Sequence, residues 1–600
     1  MTDYFEVHGR DGAARLGELR LEDPLWTPAL VDDVLEDAGS LWPEQREVPD
    51  GDESSLAVLP HRAFPGGTPA EVQEAFAVDY PDVEFPSAAV VTPGTAADAT
   101  AASPDAYALS NAQEIAGHAS AFVDAVVRTR EAVPADTALY LPGVATPGNA
   151  ATLAYAGVDL VDTDHAVVEG TRGRYLTVDG DHFLSDLEEL PCACPACQQP
   201  VEEFGREDCA EHNVNALRAA LSTVRERIRA GRLRDYVEGQ ARHEQWHTAV
   251  LRRLDQQYGY LEQRTPVIRR AELTAATDDT LRRVEIQRFA ERVTGRYRCR
   301  FDNPLVLVPC SARKPYSESQ SHGQFHEAIQ FRAHTVSMTS PIGVVPQELE
   351  LTYPAQHYDT VVTGRWSATE IEFVADILEA YLRRNEYPRV VAHVPDGGYR
   401  EICDRVEAAL DLEFEYTVAD HPTTTESLSN LASTLSVELK YGKRERQHNT
   451  LRAIADYQFG DVPESGDSGA DRTGRGAGDA LFEGLRAESR YPKLRAHDGD
   501  GEQLAALVPE YGVLSLTLAG ARRWVESDVP VRRVEIDGFV PHGSVLAPGV
   551  VDASGAIRVG DEVVIEGPEA FAVGRARMSG PEMVESTRGI ASTVRHVEER

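Results

Sequence analysis

Six hundred residues exceed what one hydrophobic core organises, so about three to five domains are expected. Hydrophobic residues at 42% and charged residues at 26% describe ordinary globular material, but the formal charge is −39, with 98 acidic residues against 59 basic ones. No run of about eighteen apolar residues occurs, and MTDYFEVHGRDG lacks a basic-then-apolar leader, so neither a membrane span nor a secretory signal is expected.

The carboxylates are spread along the chain, and only Lys314, Lys440, Lys443 and Lys493 are lysine. Such a surface suits a halophile, because hydrated carboxylates keep a protein soluble in strong salt. At 1 M salt the Debye length is roughly 3 Å, which screens the self-repulsion. The charge therefore reports habitat and leaves a nucleic-acid partner open. Seven cysteines, an odd number with three clustered, point to a reducing cytoplasm and a metal site over disulfides.

From about residue 85 to 190, short β-like runs (AAVVTP, TALYLPGV, VDLVD) alternate with Ala-rich helical stretches, which predicts βα units. CACPAC then supplies Cys192, Cys194 and Cys197. His212 follows at the start of an amphipathic helix predicted over 212–238, with Val214, Leu217, Leu221, Val224 and Ile228 at three- and four-residue spacing. Three thiolates and one imidazole make a closed tetrahedral set suited to structural zinc, with Cys209 as the competing fourth ligand.

Residues 243–298 read as further helix, and a fresh α/β unit begins at Leu305. LVLVP, DTVVTG (359–364) and RVVAHVP (389–395) read as its strands. Ser367 and Glu370 form a capping box ahead of Ile371, Val374, Ile377, Leu378 and Tyr381. PCSARKPYSESQSH places Cys310, Ser311, Lys314, Tyr316, Ser319 and His322 just past the first strand, where α/β sheets bind ligands. A buried cysteine beside a polar helix cap is the plain alternative. Lysine scarcity favours chemistry, since a compact or titratable amine is kept at Lys314. PESGDSGADRTGRGAGD (463–479) is linker-like, and a β-rich segment ends the chain.

GVDLVDTDHAVVEGTRGRYLT (157–177), the cysteine cluster with His212-Asn213, and LYLPGVATPGNAATLAYAGVDLVD (139–162) resemble the second half of tRNA-guanine transglycosylases. That resemblance implies a TIM barrel with a zinc site, and it aligns the catalytic aspartate with Asp162. Ala145 stands where the Gly-x-Gly-Thr-Pro pattern has its second glycine, and the Ser-Asp-Ser-Gly-Gly-Phe-Gln motif has no counterpart; ALSNAQEI (108–115) does not match it. A degenerate barrel is therefore expected, with Asp162 kept for binding or structure.

LAPGVVD (546–552), IRVGDEVVI (557–565), AVGRARMSG (572–580) and TRGIASTVR (587–595) resemble a PUA domain, a small RNA-binding β-barrel. The resemblance implies RNA contacts at Gly549, Arg558, Gly560, Asp561, Arg575 and Arg588. Residues 491–525 resemble the small domain that precedes PUA in archaeal transglycosylases. The expected domains are a degenerate transglycosylase-like 1–240, a helical connector 241–300, an α/β catalytic 301–460, a flexible linker 461–479, a small α+β 480–527 and a PUA 528–600.

Pro-Cys-Ser-x-x-Lys-Pro-Tyr between such domains resembles the archaeosine synthases. These imply a cytoplasmic enzyme acting on tRNA, adding nitrogen from lysine, glutamine or ammonia to the nitrile of 7-cyano-7-deazaguanine in the D-loop. The product is archaeosine, or a lysine adduct passed to a radical-SAM lyase partner; a homodimer is also conceivable. In that chemistry the Cys310 thiolate adds to the nitrile as a nucleophile. Lys314 or His322 assists by charge and proton relay. Ser311 and Tyr316 hold the nitrile nitrogen or the donor. Direct amine attack with Cys310 only packing stays open, as do an active transglycosylase using Asp162 and a non-catalytic tRNA-binding protein.

Overall fold

The computed structural model describes residues 2–65, 67–360, 365–462 and 475–600; most of the expected linker and the last four residues of DTVVTG lie outside these. The chain divides into two units. The first comprises residues up to Pro266 with Ser544–Val559 and Arg577–Ser592; the second comprises Val267–Gly543, Gly560–Ala576 and Thr593–Arg600.

In the first unit the short apolar runs are strands: β1 (Ala29–Leu30), β2 (Leu35–Asp37), β3 (Leu56–Val58), β4 (Ser87–Val91), β5 (Ala106–Leu109), β6 (Ala138–Tyr140) and β7 (Leu160–Val161). They pair in parallel in the order β1-β7-β6-β5-β4-β3-β2. β5 and β6 are buried throughout, so AYAL and ALY show no polar alternation. Seven strands with two open edges make a half-barrel, not the closed eight-stranded barrel of the transglycosylase resemblance.

Helix α1 (Ala119–Ala132) lies between β5 and β6 in the chain and buries Phe122, Val123 and Val126. Helices α2 (Asp164–Thr171) and α3 (Arg206–Arg229) approach closely: a Cβ on Gly170 would stand 2.4 Å from the Cα of Ala210. The helix predicted over 212–238 is in fact two. Gly231, at φ 65°, ends the first turn of chain after α3, and Leu233–Gln240 starts anew. Within the same unit Arg10 pairs with Glu582 at 2.7 Å, both nearly buried, and the Thr587 amide donates to Asp136 at 2.8 Å.

The second unit is built on β8 (Leu305–Pro309), α4 (Gln320–Ile329), β9 (His334–Thr339), β10 (Gly343–Pro346), α5 (Ala368–Arg384), β11 (Val390–Ala392), α6 (Gly398–Leu410), β12 (Phe414–Tyr416), α7 (Thr425–Thr434) and α8 (Lys443–Phe459). The sheet order is β10-β9-β8-β11-β12, parallel except for β10. The two-residue side-chain period sends Leu305 and Leu307 into a core with Ile371, Leu378 and Ile402. Val306 and Val308 enter another with Phe325, Ile329, Leu431 and Leu435. The Ser367–Glu370 capping box starts α5. The helical connector read over 243–298 is interrupted by a strand, Leu273–Ala275, which pairs in parallel with Tyr358–Thr360.

Four antiparallel strands between Arg486 and Leu516 follow, then three strands, Arg533–Ile536, Glu562–Glu566 and Ala570–Ala576, the last pair antiparallel. Gly574 permits close approach there, since a Cβ would stand 2.1 Å from the Thr593 carbonyl oxygen.

One buried pair lies under the second sheet. His334 is fully buried, with Nε2 3.0 Å from Glu348 and Nδ1 2.9 Å from the Tyr387 hydroxyl. Burial opposes its charge, yet the Glu348 carboxylate raises its pKa from 6.5 to about 10. A raised folded pKa stabilises the fold fully below the unfolded value and loses that contribution as pH climbs through the folded one. Chemical denaturation of the protein should therefore show stability declining between pH 6.5 and about 10. A Glu348→Gln variant, already less stable near neutrality, should show a flatter decline.

Candidate active site and metal centre

The chain leaves β8 toward β9 on one side, while β11 pairs on the other and leads to β12. The helix after β8 packs on one face of the sheet and the helix after β11 on the opposite face. The carboxyl ends of β8 and β11 therefore diverge, which is where open α/β sheets form ligand crevices. Cys310 follows β8 and is held in register by its amide, which donates to the Met338 carbonyl at 3.1 Å. Tyr399 follows β11, and its hydroxyl lies 3.3 Å from the half-buried Cys310 Sγ. Trp366 packs against Tyr399 at 4.7 Å between centroids. Gly398 lets the two come close, since a Cβ there would stand a tight 3.0 Å from the Trp366 ring.

Lys314 comes back over this crevice. Its Nζ stands 3.8 Å above the Tyr358 ring, and burial lowers its pKa below the ordinary 10.5 although Cys310 and Asp359 favour the charge. Beneath it runs a line of hydroxyls: Tyr316 and Tyr358 are 2.6 Å apart, Tyr358 and Thr339 2.7 Å. Thr339 then donates to the Ser340 carbonyl at 3.1 Å. Tyr316 is thus buried and committed to structure. Ser311 is half-buried and donates to the Arg313 carbonyl.

Ser319 and His322 take different places from those the sequence suggested. Ser319 caps α4, accepting from the His322 amide at 3.2 Å. His322 stacks on Tyr316 and spends Nε2 on the Pro309 carbonyl at 3.1 Å; burial drops its pKa to about 4. A neutral, committed imidazole lends Cys310 no positive charge, so that role falls to Lys314. Tyr399, Tyr358, Thr339 and Trp366 were not singled out from the sequence. The legible signal was Asp-Gly-Gly-Tyr right after the run RVVAHVP, a strand-to-helix turn at a sheet's carboxyl edge.

In the first unit the ligand atoms of Cys192, Cys194, Cys197 and His212 all lie within 4.8 Å of one another and could hold a metal ion. His212 Nε2 is 2.9 Å from the Leu176 carbonyl, which leaves Nδ1 facing the Cys194 and Cys197 thiols at 3.5 and 3.4 Å. A carbonyl on the far side of the ring in this way sets Nδ1 as the nitrogen offered to a metal. Tyr175 stacks on the imidazole at 3.7 Å, and Asn213 fastens α3 to the Ala166, Arg174 and Leu176 backbone. Cys209 is buried in the apolar cluster and outside the donor set, so His212 completes it.

Asp162 ends β7 with every oxygen engaged. It accepts from the Tyr140 hydroxyl and the Gly143 amide at 2.7 Å each, and from the Asp164 amide at 3.1 Å. It is 5% exposed and does not line the neighbouring cavity of about 950 Å³, whose walls include Gly143, Asp164, His165 and Trp246.

Several of the residues expected to touch RNA also have partners within the fold. Arg558 pairs with Glu262 at 2.8 Å, and Asp561 lies 3.3 Å from Arg532. Gly560 turns at φ 93° against Ile268, and Arg575 lies over Tyr511. Arg588 is half-buried, 3.5 Å from Asp3, and Gly549 ends a short 3-10 turn.

Residues 94–245 match the Queuine tRNA-ribosyltransferase family, 474–530 the patch-forming domain C2 of tRNA-guanine transglycosylase, and 533–597 the PUA domain. Residues 286–435, which carry Cys310, Lys314 and Tyr399, match a domain of unknown function (DUF5591). The tRNA-guanine(15) transglycosylase of Methanobrevibacter smithii is 27% identical over 80% of this chain and 69% of its own. The Archaeosine synthase subunit alpha of Methanosarcina acetivorans is 41% identical, and the Archaeosine synthase of Haloferax volcanii 64%, each over the full length of both chains. With that likeness along its whole length, the chain belongs to the archaeosine synthase family.

Proposed function

We propose that this chain adds an amine nitrogen to the nitrile of 7-cyano-7-deazaguanine in the D-loop of tRNA, giving archaeosine or a lysine adduct that precedes it. The observation that carries the reading is the grouping of Cys310, Tyr399 and Lys314 at the divergence of β8 and β11. Membership of the archaeosine synthase family supports it too, and no helix of the described residues is long and apolar enough to cross a membrane, in keeping with work in the cytoplasm.

A nitrile carbon is a weak electrophile until its nitrogen can take a proton. In the proposed step the Lys314 amine takes the Cys310 proton, and the ammonium so formed faces the thiolate. The sulfur bonds the nitrile carbon, the π pair moves to nitrogen, and the Lys314 ammonium returns the proton there. The donor amine then bonds the same carbon and gives Lys314 a proton. The C–S bond breaks with its electrons on sulfur, leaving an amidine. Tyr399 holds the sulfur through its hydroxyl. Free lysine, glutamine and ammonia are the candidate donors, lysine requiring a separate lyase afterward.

We assign the ion of the Cys192, Cys194, Cys197 and His212 set as zinc in a structural role. Three thiolates and an imidazole fill a tetrahedron and suit that metal. Asp162 we read as a positioning carboxylate for the Gly143 turn, on the strength of its engaged oxygens.

Nucleosides from nitrile-bearing tRNA, incubated in high salt with lysine, glutamine or ammonium separately, should show a mass gain for one donor. Cys310→Ala should lower turnover at least about 100-fold, and Tyr399→Phe about tenfold, the worth of one strong hydrogen bond. Undiminished turnover in Cys310→Ala would mean direct amine attack. Asp162→Asn should keep nitrogen addition; labelled-guanine exchange that disappears in this variant would favour a transglycosylase instead. Metal analysis should find one zinc per chain, lost in Cys194→Ser and His212→Ala but kept in Cys209→Ala. Loss of the ion should cost about 3–4 kcal/mol, the stabilisation expected of a ligand held well above its dissociation constant.

A further inference from the structure

Two of the four lysines fall within 436–446, SVELKYGKRER. Lys440, Lys443 and Arg444 are exposed and Arg446 half-buried, and among the described residues none of them forms an ion pair. The two carboxylates of the stretch are engaged otherwise. Glu438 accepts from Arg389 Nε and Nη2 at 3.1 and 2.8 Å, and Glu445 caps the Gly442 amide at 3.1 Å. Lys440 Nζ and Arg332 Nη1 both donate to Gln330 Oε1, each at 3.0 Å. Two cations thus share one neutral oxygen, in a chain whose net charge is −39.

The same stretch exposes Val437 at 83% and Leu439 at 85%, the two most exposed large hydrophobics among the described residues. Gln330 closes α4, whose start follows the Cys310 loop. Ten residues of helix span about 15 Å, so the patch lies that far from the crevice, toward the amino ends of the strands.

We propose that residues 437–446, with Arg332, form a second RNA-binding surface separate from the PUA module. Lys440, Lys443, Arg444 and Arg332 face the sugar-phosphate backbone of tRNA, and Val437 and Leu439 pack on ribose or base. The inference rests on the tRNA-directed reading above. Charge complementarity selects the occupant. A phosphate backbone is a dense line of anions for which lysine acts as a compact point charge. The mixed composition fits strong salt, which weakens phosphate contacts but does not weaken apolar burial.

The test is fluorescence anisotropy of the full chain with labelled tRNA, without amine donor so that nothing turns over, over a range of KCl concentrations. Lys440→Gln/Lys443→Gln/Arg444→Gln should weaken binding and lower the slope of log K against log salt by about 2–3, since each phosphate contact contributes roughly 0.7–0.9. Val437→Ser/Leu439→Ser should weaken binding with the slope unchanged. Affinity and slope unaltered in both variants would overturn the proposal. So would altered sedimentation of the protein alone with tRNA affinity intact, which would make the face an interface between protein chains. Native protein that binds tRNA through this patch yet adds no nitrogen would remove the catalytic reading and leave the surface standing.

Discussion

The second unit depends on one strand being covered from both sides. Leu305 and Leu307 point into one core and Val306 and Val308 into another, and neither core can close without the helices that the crossovers supply. That requirement decides where the chain must turn. The connection after β8 has to leave on one face and the connection after β11 on the other, so their carboxyl ends part. Cys310 and Tyr399, 89 residues apart in sequence, meet at that parting. The meeting of Cys310 and Tyr399 is therefore a consequence of sheet topology, and the loop between Cys310 and α4 needs only to bring Lys314 back over the Tyr358 ring.

The first unit keeps a scaffold like that of the Queuine tRNA-ribosyltransferase family. The half-barrel keeps the parallel order, the aspartate at the end of β7 and the metal-ligand set. The aspartate has become a hub for the Tyr140 hydroxyl and two backbone amides, roles that consume its lone pairs. A carboxylate so occupied is well placed to hold a turn and poorly placed to attack a sugar. The Cys192, Cys194, Cys197 and His212 cluster keeps its frame, because Asn213 and Tyr175 tie it to β-structure on one side and to α3 on the other.

Salt shapes the surface of both units. With 98 acidic residues the chain repels polyanions at long range, and only short-range contacts remain in strong salt. Buried ion pairs are screened far less. Arg10 with Glu582 and His334 with Glu348 are nearly or fully buried and carry electrostatic organisation that the exterior cannot. Exposed cations outside any ion pair are for that reason notable on the exterior, and among the described residues Lys440, Lys443 and Arg444 bring three of them together.

Composition, spacing and local motif determined a good deal without tertiary information. The run LVLVP announced a doubly covered strand, the Ser367–Glu370 box marked a helix start, and three clustered cysteines with a histidine marked a metal-ligand set. Each is a matter of near neighbours or of one side-chain period. Only the tertiary structure decided which loop residues come together. Ser319 and His322 looked like chemistry beside Cys310, but helix capping and a carbonyl bond absorbed them. Tyr399 came from a distant strand, and Cys209 lost its place in the ligand set to apolar packing. The physical reason is that a side chain's hydrogen-bond partners and burial are set by which elements the topology brings alongside it, and a linear pattern does not contain that information.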